Sequence, residues 1–384
     1  MPQPVKSVHE SVSARLTPLD ALRGFIMLVM ALDHANVFVA REHPRSEMWF
    51  GGFPTYSDPL AFFTRAITHL AAPGFFWLMG AGMVLFAASR EKSGLTRGAV
   101  LRYFFIRGII LILLQVFVEN PAWIWGSGGP FTFLEMPMYV GVLYALGGAM
   151  ILGALMLWWD TRVLLAISAG LLLGTEIVIR NFSGDVLRFT PFTQLFLLPG
   201  NTQQFSVLYP ILPWLGVTLF GIAFGKWFAQ DPERAYRRAL YFGVAFLALF
   251  IPLRALNGFG NIRAQVGTSW IAFLNNVKYP PSITFLLLAL GIDLTLLFAF
   301  SRKVLALATR HPSPLIVFGM TPLFFYIAHL YLYGFIGRTF FPQGTGIPAM
   351  YPWWLVGLAM LYPLCWLYRR FKNSQAPNSI WRFF

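Results

Sequence analysis

The chain of 384 residues contains one cysteine, Cys365, and only 11% charged residues. A lone cysteine excludes an intrachain disulfide and a cysteine-based metal site, and it leaves the redox compartment unspecified. A soluble domain carries about 25% charged residues, so this scarcity argues against a soluble fold. Familiar catalytic signatures are missing too. Without a P-loop, HExxH, GxSxG or CxxC, ATP hydrolysis, zinc proteolysis and serine hydrolysis have no support, and no metal is expected. The formal charge of +14 comes with no arginine-rich tail or RNA-binding motif, so nucleic acid is not the expected partner. No internal repeat is visible. The first 16 residues are polar and lack an apolar signal core, and no small-residue cleavage signal follows the first apolar run, which reads as an uncleaved signal anchor.

What is abundant is apolar. Hydrophobic residues make up 57% of the chain and aromatic residues 17%, with 39 Phe and 13 Trp; mean hydropathy is +0.63. Aromatic richness of this kind suits interfacial belts and lipid-facing surfaces. The expectation is an all-α polytopic membrane protein whose partner is the lipid bilayer. Apolar stretches of about 17–25 residues mark spans, and about ten occur, near 18–40, 60–89, 100–118, 138–158, 162–180, 207–229, 236–255, 281–301, 313–337 and 351–371. This divides the chain into a cytoplasmic tail (1–17), a transmembrane domain (18–371) and a second cytoplasmic tail (372–384). Pro73, Pro213 and Pro322 are expected to kink their spans.

Orientation follows from Lys and Arg, which gather on the cytoplasmic side. With the N-terminus inside, that side collects Lys6, Arg15, Arg23, Arg90, Lys92, Arg97, Arg102 and Arg107. It also takes Arg162, Lys226, Arg234, Arg237, Arg238, Arg302, Lys303, Arg310, Arg369, Arg370, Lys372 and Arg382. These are twenty of the 29, which favours both termini in the cytoplasm. The longest segments between spans, 41–59, 181–206 and 256–280, fall outside, and loops of that length are often functional.

Ionisable residues at bilayer depth cost free energy and mark sites. Arg23 and His34 stand on one face of the first span, about 16 Å apart along its axis. On the expected topology His34, His69 and His329 come from three spans to one depth, roughly 9–14 Å below the outer surface. Histidine is the natural proton acceptor near neutral pH, although each ring could equally be polar glue between helices. Asp33 points about 100° away from His34 and is as well placed to meet an arginine such as Arg65. Arg65 and His69 share a face at i, i+4, and Asp20 and Arg23 can pair at i, i+3. Gly74, Gly80 and Gly82 allow close approach of a helix or a ligand. Glu176 and Asp293 are further acids within spans. Lys278-Tyr279-Pro280-Pro281-Ser282 introduces the eighth span, with Pro281 suited to a first helical turn and Lys278 and Tyr279 at an outer mouth.

These features leave transporter and membrane enzyme both open. The block Leu19-Asp20-Ala21-Leu22-Arg23-Gly24, continuing to Met30-Ala31-Leu32-Asp33-His34, resembles the first span of transmembrane acyltransferases. Within them it is similar to the heparan-α-glucosaminide N-acetyltransferase-like group (the DUF1624 type). The Arg23-to-His34 spacing is also similar to the arginine-ten-histidine motif of the acyltransferase-3 family. Ala72-Pro73-Gly74-Phe75 with Met79-Gly80, the Lys278–Ser282 block, and Pro322-Leu323-Phe324-Phe325-Tyr326 with His329 extend the resemblance over most of the chain.

The resemblance implies transfer of an acyl group, by default acetyl, from cytosolic acyl-CoA to a sugar, glycan or small amine on the far side. Histidine then serves as base or acyl carrier. His34 takes the place of the motif histidine. The family's reactive histidine lies just before the second span, where this chain reads Tyr56-Ser57-Asp58-Pro59, so His34 and His69 both remain candidates. The expected catalytic group is His34, His69, His329 and Asp33. Arg23, Arg90, Arg97 and Arg102 are expected to meet the phosphates of CoA, and Lys278 and Tyr279 the acceptor. The alternative is a proton-coupled transporter or flippase of a glycan or lipid intermediate, with the buried His and Asp as a proton relay. A homo-oligomer is compatible with either.

Overall fold

The computed structural model describes residues 8–44, 47–181, 190–302, 312–376, 379 and 381, with side chains from residue 16 onward. Lys6, Lys303, Arg310 and Arg382 of the orientation count lie outside it, as do His311 and parts of both expected tails; the side chains of His9 and Arg15 are likewise not described.

The protein is an all-α bundle. Among the described residues, eight helical stretches are long and apolar enough to cross a bilayer: 16–40, 59–92, 97–126, 161–180, 211–230, 232–256, 283–300 and 347–374. The two other expected spans are also helical but differ in form. Helix α6 (Val142–Leu155) has 14 residues, about 21 Å at the usual rise. The ninth is broken into α13 (Pro314–Gly319) and α14 (Pro322–Phe340).

Several of the long stretches change pitch along their length. Helix α1 (Val8–Ala35) ends in a π-helical turn at Asn36–Ala40. Helix α2 (Pro59–Ala66) passes through a 3₁₀ turn at Ile67–Leu70 into α3 (Ala71–Lys92). Helix α4 (Arg97–Leu114) passes through a second π-helical turn at Gln115–Glu119 into α5 (Asn120–Gly126). π-Helical turns of this kind frequently accompany functional sites.

The expected kinks resolve differently. Pro73, Pro213 and Pro322 are the third, third and first residues of α3, α9 (Ile211–Gln230) and α14. The first turn of a helix leaves its N–H groups without intrahelical partners, so proline is tolerated there. Pro281 lies before α12 (Ile283–Phe300), which is capped instead by Ser282, whose Oγ accepts from the Phe285 N–H at 3.1 Å.

Helices α1, α3 and α9 form the centre, while α7 (Thr161–Arg180), α10 (Pro232–Leu256) and α15 (Ile347–Ser374) turn most of their surface outward. Small residues set the central crossings. A Cβ on Gly80 would overlap the Thr218 carbonyl and one on Gly221 the Trp77 carbonyl, so α3 and α9 meet backbone to backbone. Gly24 and Gly319 do the same between α1 and α13. This is the close packing expected of helices that gain little from the hydrophobic effect in lipid.

A small sheet covers one end of the bundle. Strand β1 (Met138–Val140) pairs in parallel with β3 (Phe205–Val207), and β2 (Gly200–Asn201) pairs antiparallel with β3. At the same end Met48 bridges Tyr279, joining the loop after α1 to the loop before α12.

Candidate active site

A cavity of about 350 Å³ opens beneath these loops. Its wall includes His34, Asp33, His43, Glu47, Arg65, Glu119, Trp123, Tyr139, Tyr209, Lys278, Tyr279 and Tyr326. A second cavity of about 340 Å³ lies toward the end that carries Arg23, Arg107 and Lys372, all three in its wall. Phe75, Val142 and Tyr326 belong to both walls. The two cavities therefore adjoin at these side chains.

His34 and His329 are in direct contact. His34 Nδ1 lies 2.6 Å from His329 Nε2, and the rings stack with centroids 4.8 Å apart. Their protonation can be argued from the far end of the chain. His329 Nδ1 stands 2.9 Å from the Phe325 carbonyl oxygen, which can only accept, so that nitrogen carries hydrogen. In the neutral ring His329 Nε2 is then an acceptor, and His34 Nδ1 must donate to it. The lone pair of neutral His34 is left on Nε2, the nitrogen suited to take a proton or attack a carbonyl. Trp123 and Tyr326 pack edge-on around His34, at 5.1 and 6.5 Å. His329 is fully buried and is not part of the cavity wall.

His69 has a different setting. Its Nε2 lies 2.8 Å from Glu47 Oε1, and Phe285 packs against its ring. It does not line the cavity. Glu47 is also gripped by Arg65, through Nε at 2.8 Å and through Nη2. Arg65 Nη1 reaches Asp33 at 2.5 Å, and Asp33 further takes Thr68 Oγ1 at 2.9 Å and His43 Nε2 at 3.2 Å. Asp33 thus meets Arg65 and does not orient His34. A buried arginine bridging two carboxylates, each with further donors, is the arrangement that makes charge tolerable away from water. Burial works against ionisation of Glu47, but Arg65 and then His69 hold its carboxyl well below the usual range. The backbone of Glu47 anchors the opposite loop, accepting from Lys278 N and Tyr279 N at 3.2 and 3.1 Å.

Three tyrosines complete the wall near this loop. Tyr209 and Tyr279 hydroxyls stand 3.3 Å apart. Burial, and then neighbouring Tyr279, push Tyr209 well above an ordinary phenol; burial, and then Glu119, do the same to Tyr139. Both stay protonated and able to donate.

The expected cation set divides. Arg23 lines the second cavity, donating from Nη1 to Asp20 Oδ1 at 2.7 Å and to the Gly319 carbonyl at 2.9 Å. Arg90 lies over Phe86, Arg97 over Trp158 and beside Glu91, and Arg102 is exposed; none of the three lines either cavity. Of the glycines in α3, Gly74 faces Ile26 and Asp293, Gly80 faces α9, and Gly82 lines the second cavity. Glu176 holds Arg180 and the Gly260 N–H, while Asp293 is fully buried and has no hydrogen-bond partner among the described residues.

Sequence reasoning missed Glu47, Glu119, Trp123 and Tyr326. Glu47 sits in a loop already marked by its length and expected on the outer side, but nothing local separates it from Glu42. Glu119 had a signal: Gln115, Glu119 and Asn120 are three polar residues at the end of an apolar span. Asn120-Pro121 reads as a stop, yet the π-helical turn before it lets the helix continue to Gly126.

A family model described as heparan-alpha-glucosaminide N-acetyltransferase, catalytic, matches residues 15–256, more than half of the chain. That segment holds His34, Glu47, Arg65, His69 and Glu119, whereas Lys278, Tyr326 and His329 lie beyond it. No curated protein matches the chain.

Proposed function

The chain belongs to the heparan-alpha-glucosaminide N-acetyltransferase catalytic family, and on that premise we propose that it carries an acetyl group across a bacterial inner membrane. The donor is acetyl-CoA entering from the cytosol, and the acceptor is a sugar, glycan or small amine on the outer side. One observation carries this reading. Two cavities meet at Phe75, Val142 and Tyr326, the first holding His34 and the second three basic side chains. In this account Arg23, Arg107 and Lys372 meet the phosphates of CoA, and the pantetheine arm lies along the second cavity. The thioester then arrives at the junction, within the neighbourhood of His34.

The chemistry is acyl transfer. His34 Nε2 removes the proton of the acceptor hydroxyl or amine as that atom attacks the thioester carbonyl. The carbon–sulfur bond breaks, and CoA leaves as a thiol with the proton returned through His34. His329 is a positioning residue that fixes the tautomer, as the buried carboxylate does in a serine-protease triad. Glu47, Arg65 and His69 hold the outer wall. His34 takes the reactive role in this reading, supported by its place in the cavity wall, which His69 does not share.

The test uses purified protein and labelled acetyl-CoA. Binding of acetyl-CoA by the wild type and loss of transfer in His34→Ala are expected. Absence of CoA binding would sink the enzyme reading, and CoA-independent, proton-coupled uptake in proteoliposomes would replace it with transport.

A further inference from the structure

Lys278 is the one cation of the outer cavity that meets no anion among the described residues. It is 4% exposed and belongs to the cavity wall. Its backbone is fixed: Lys278 N and Tyr279 N both donate to the Glu47 carbonyl, and Trp49 N donates to Tyr279 O at 2.8 Å. Its ammonium lies 5.1 Å from the centre of the Tyr279 ring, and among the described residues no carboxylate comes within 4.0 Å of it. The nearby carboxylates are already engaged. Asp33 takes Arg65, Thr68 and His43, and Glu47 takes Arg65 and His69. The cavity thus holds one buried ammonium on a fixed backbone, in a wall shared with the Tyr209–Tyr279 hydroxyl pair. Asp33 acts on Lys278 only from beyond contact distance, and a buried charge with no anion in direct contact is stabilised by a partner of opposite sign.

We infer that the outer cavity is built for an acceptor carrying an acidic group, a carboxylate or a phosphate ester, whose oxygens meet the Lys278 ammonium. This rests on the acyl-transfer reading for the word acceptor, although the anion site itself does not. Lysine serves such a group as a point charge, whereas the planar fork of Arg65 is already committed to its two carboxylates. The acidic group would enter from the loop end of the cavity, leaving the reacting hydroxyl or amine free to reach His34.

The experiment is a titration of the purified full-length protein in detergent or nanodiscs with glucose, glucuronate and glucose 6-phosphate. At least one acidic sugar should bind about tenfold or more tightly than glucose, the factor that 1.4 kcal/mol represents. Whichever of the two does so separates carboxylate from phosphate. The preference should vanish in Lys278→Gln and return in Lys278→Arg, a rescue that simple loss of folding would not give. Equal affinity for glucose and both acidic sugars in the wild type, or an undiminished preference in Lys278→Gln, overturns the inference. Labelled acetyl-CoA binding in the same preparations separates the two readings. Donor binding without acidic preference removes the anion site and leaves acyl transfer standing. Lys278-dependent acidic preference without donor binding does the reverse.

Discussion

Replacing His329 tests the histidine relay most directly. In the wild type the Phe325 carbonyl fixes hydrogen on His329 Nδ1, and His329 Nε2 accepts from His34 Nδ1 at 2.6 Å. His329→Leu is close in volume but offers no acceptor, so the His34 ring is free to place its hydrogen on Nε2 and its lone pair on the wrong side. In a serine-protease triad, loss of the orienting group by an isosteric change lowers turnover by about 10⁴, and general-base catalysis as a whole is worth about 10²–10⁴. A fall in kcat of about 10²–10⁴ is therefore expected for His329→Leu. His329→Gln, whose carbonyl can still accept from His34 Nδ1, should recover part of it. Because His329 lines neither cavity, the affinity for acetyl-CoA should hold in both variants. The assay is transfer from labelled acetyl-CoA in nanodiscs, with donor binding measured in parallel. Wild-type kcat in His329→Leu, with donor affinity intact, would refute the relay.

Other variants separate chemistry from scaffold. His34→Ala should abolish transfer while donor binding persists, whereas His69→Ala should mainly lower the melting temperature, since His69 reaches Glu47 and not the cavity; the opposite pattern would hand the reactive role to His69. Arg107→Ala and Lys372→Ala should each raise the KM for acetyl-CoA severalfold and weaken its salt dependence, with Glu91-bound Arg97 as the comparison that leaves KM unchanged. Glu47 gives a pH signature. Its carboxyl is held well below the usual range in the folded protein, so its stabilisation is full above the unfolded value of about 4.3 and is lost as pH falls toward the folded one. Thermal melts from pH 7 downward should show wild-type stability declining below about pH 4, while Glu47→Gln starts lower and declines less over that interval.

Much of the helical scaffold is legible because lipid forces a simple grammar. Each apolar run long enough to span must satisfy its own backbone, and each of the ten runs proves helical over most of its length. What periodicity cannot show is a change of pitch within a run. The π-helical turns at Asn36–Ala40 and Gln115–Glu119 shift every later side chain relative to an ideal helix, so Trp123 reaches His34 and Glu119 the same cavity from a segment that looked finished. The site was half legible for a related reason. His34 and His329 sit on long helices at one expected depth, and the structure brings them into contact. His69 shares that depth, but a loop carboxylate, Glu47, claims it; the position of a loop side chain is set by tertiary contacts that leave no periodic trace. Asp33 was the reverse case, since the 100° offset from His34 on the helix correctly pointed it toward Arg65.

The two histidines and the two carboxylates divide the outer cavity into parts with opposite demands. Acyl transfer needs a base whose lone pair is uncommitted, and in the proposed reading the His34–His329 stack supplies one, with two of its nitrogens bonded to each other and a third to the Phe325 carbonyl. A stable wall needs charges whose valences are filled, and Asp33, Glu47 and Arg65 fill one another's with His43, His69 and Thr68. Had Asp33 turned to His34 instead, the base would gain an ion-pair partner and Arg65 would lose one of its two, leaving a buried guanidinium half-compensated. Adjacent residues on one helix can serve both parts only because successive side chains diverge by about 100°. The Asp33-His34 pair thus places the proposed reactive ring on the cavity and its acidic neighbour in the charge network of the wall within a single turn of α1.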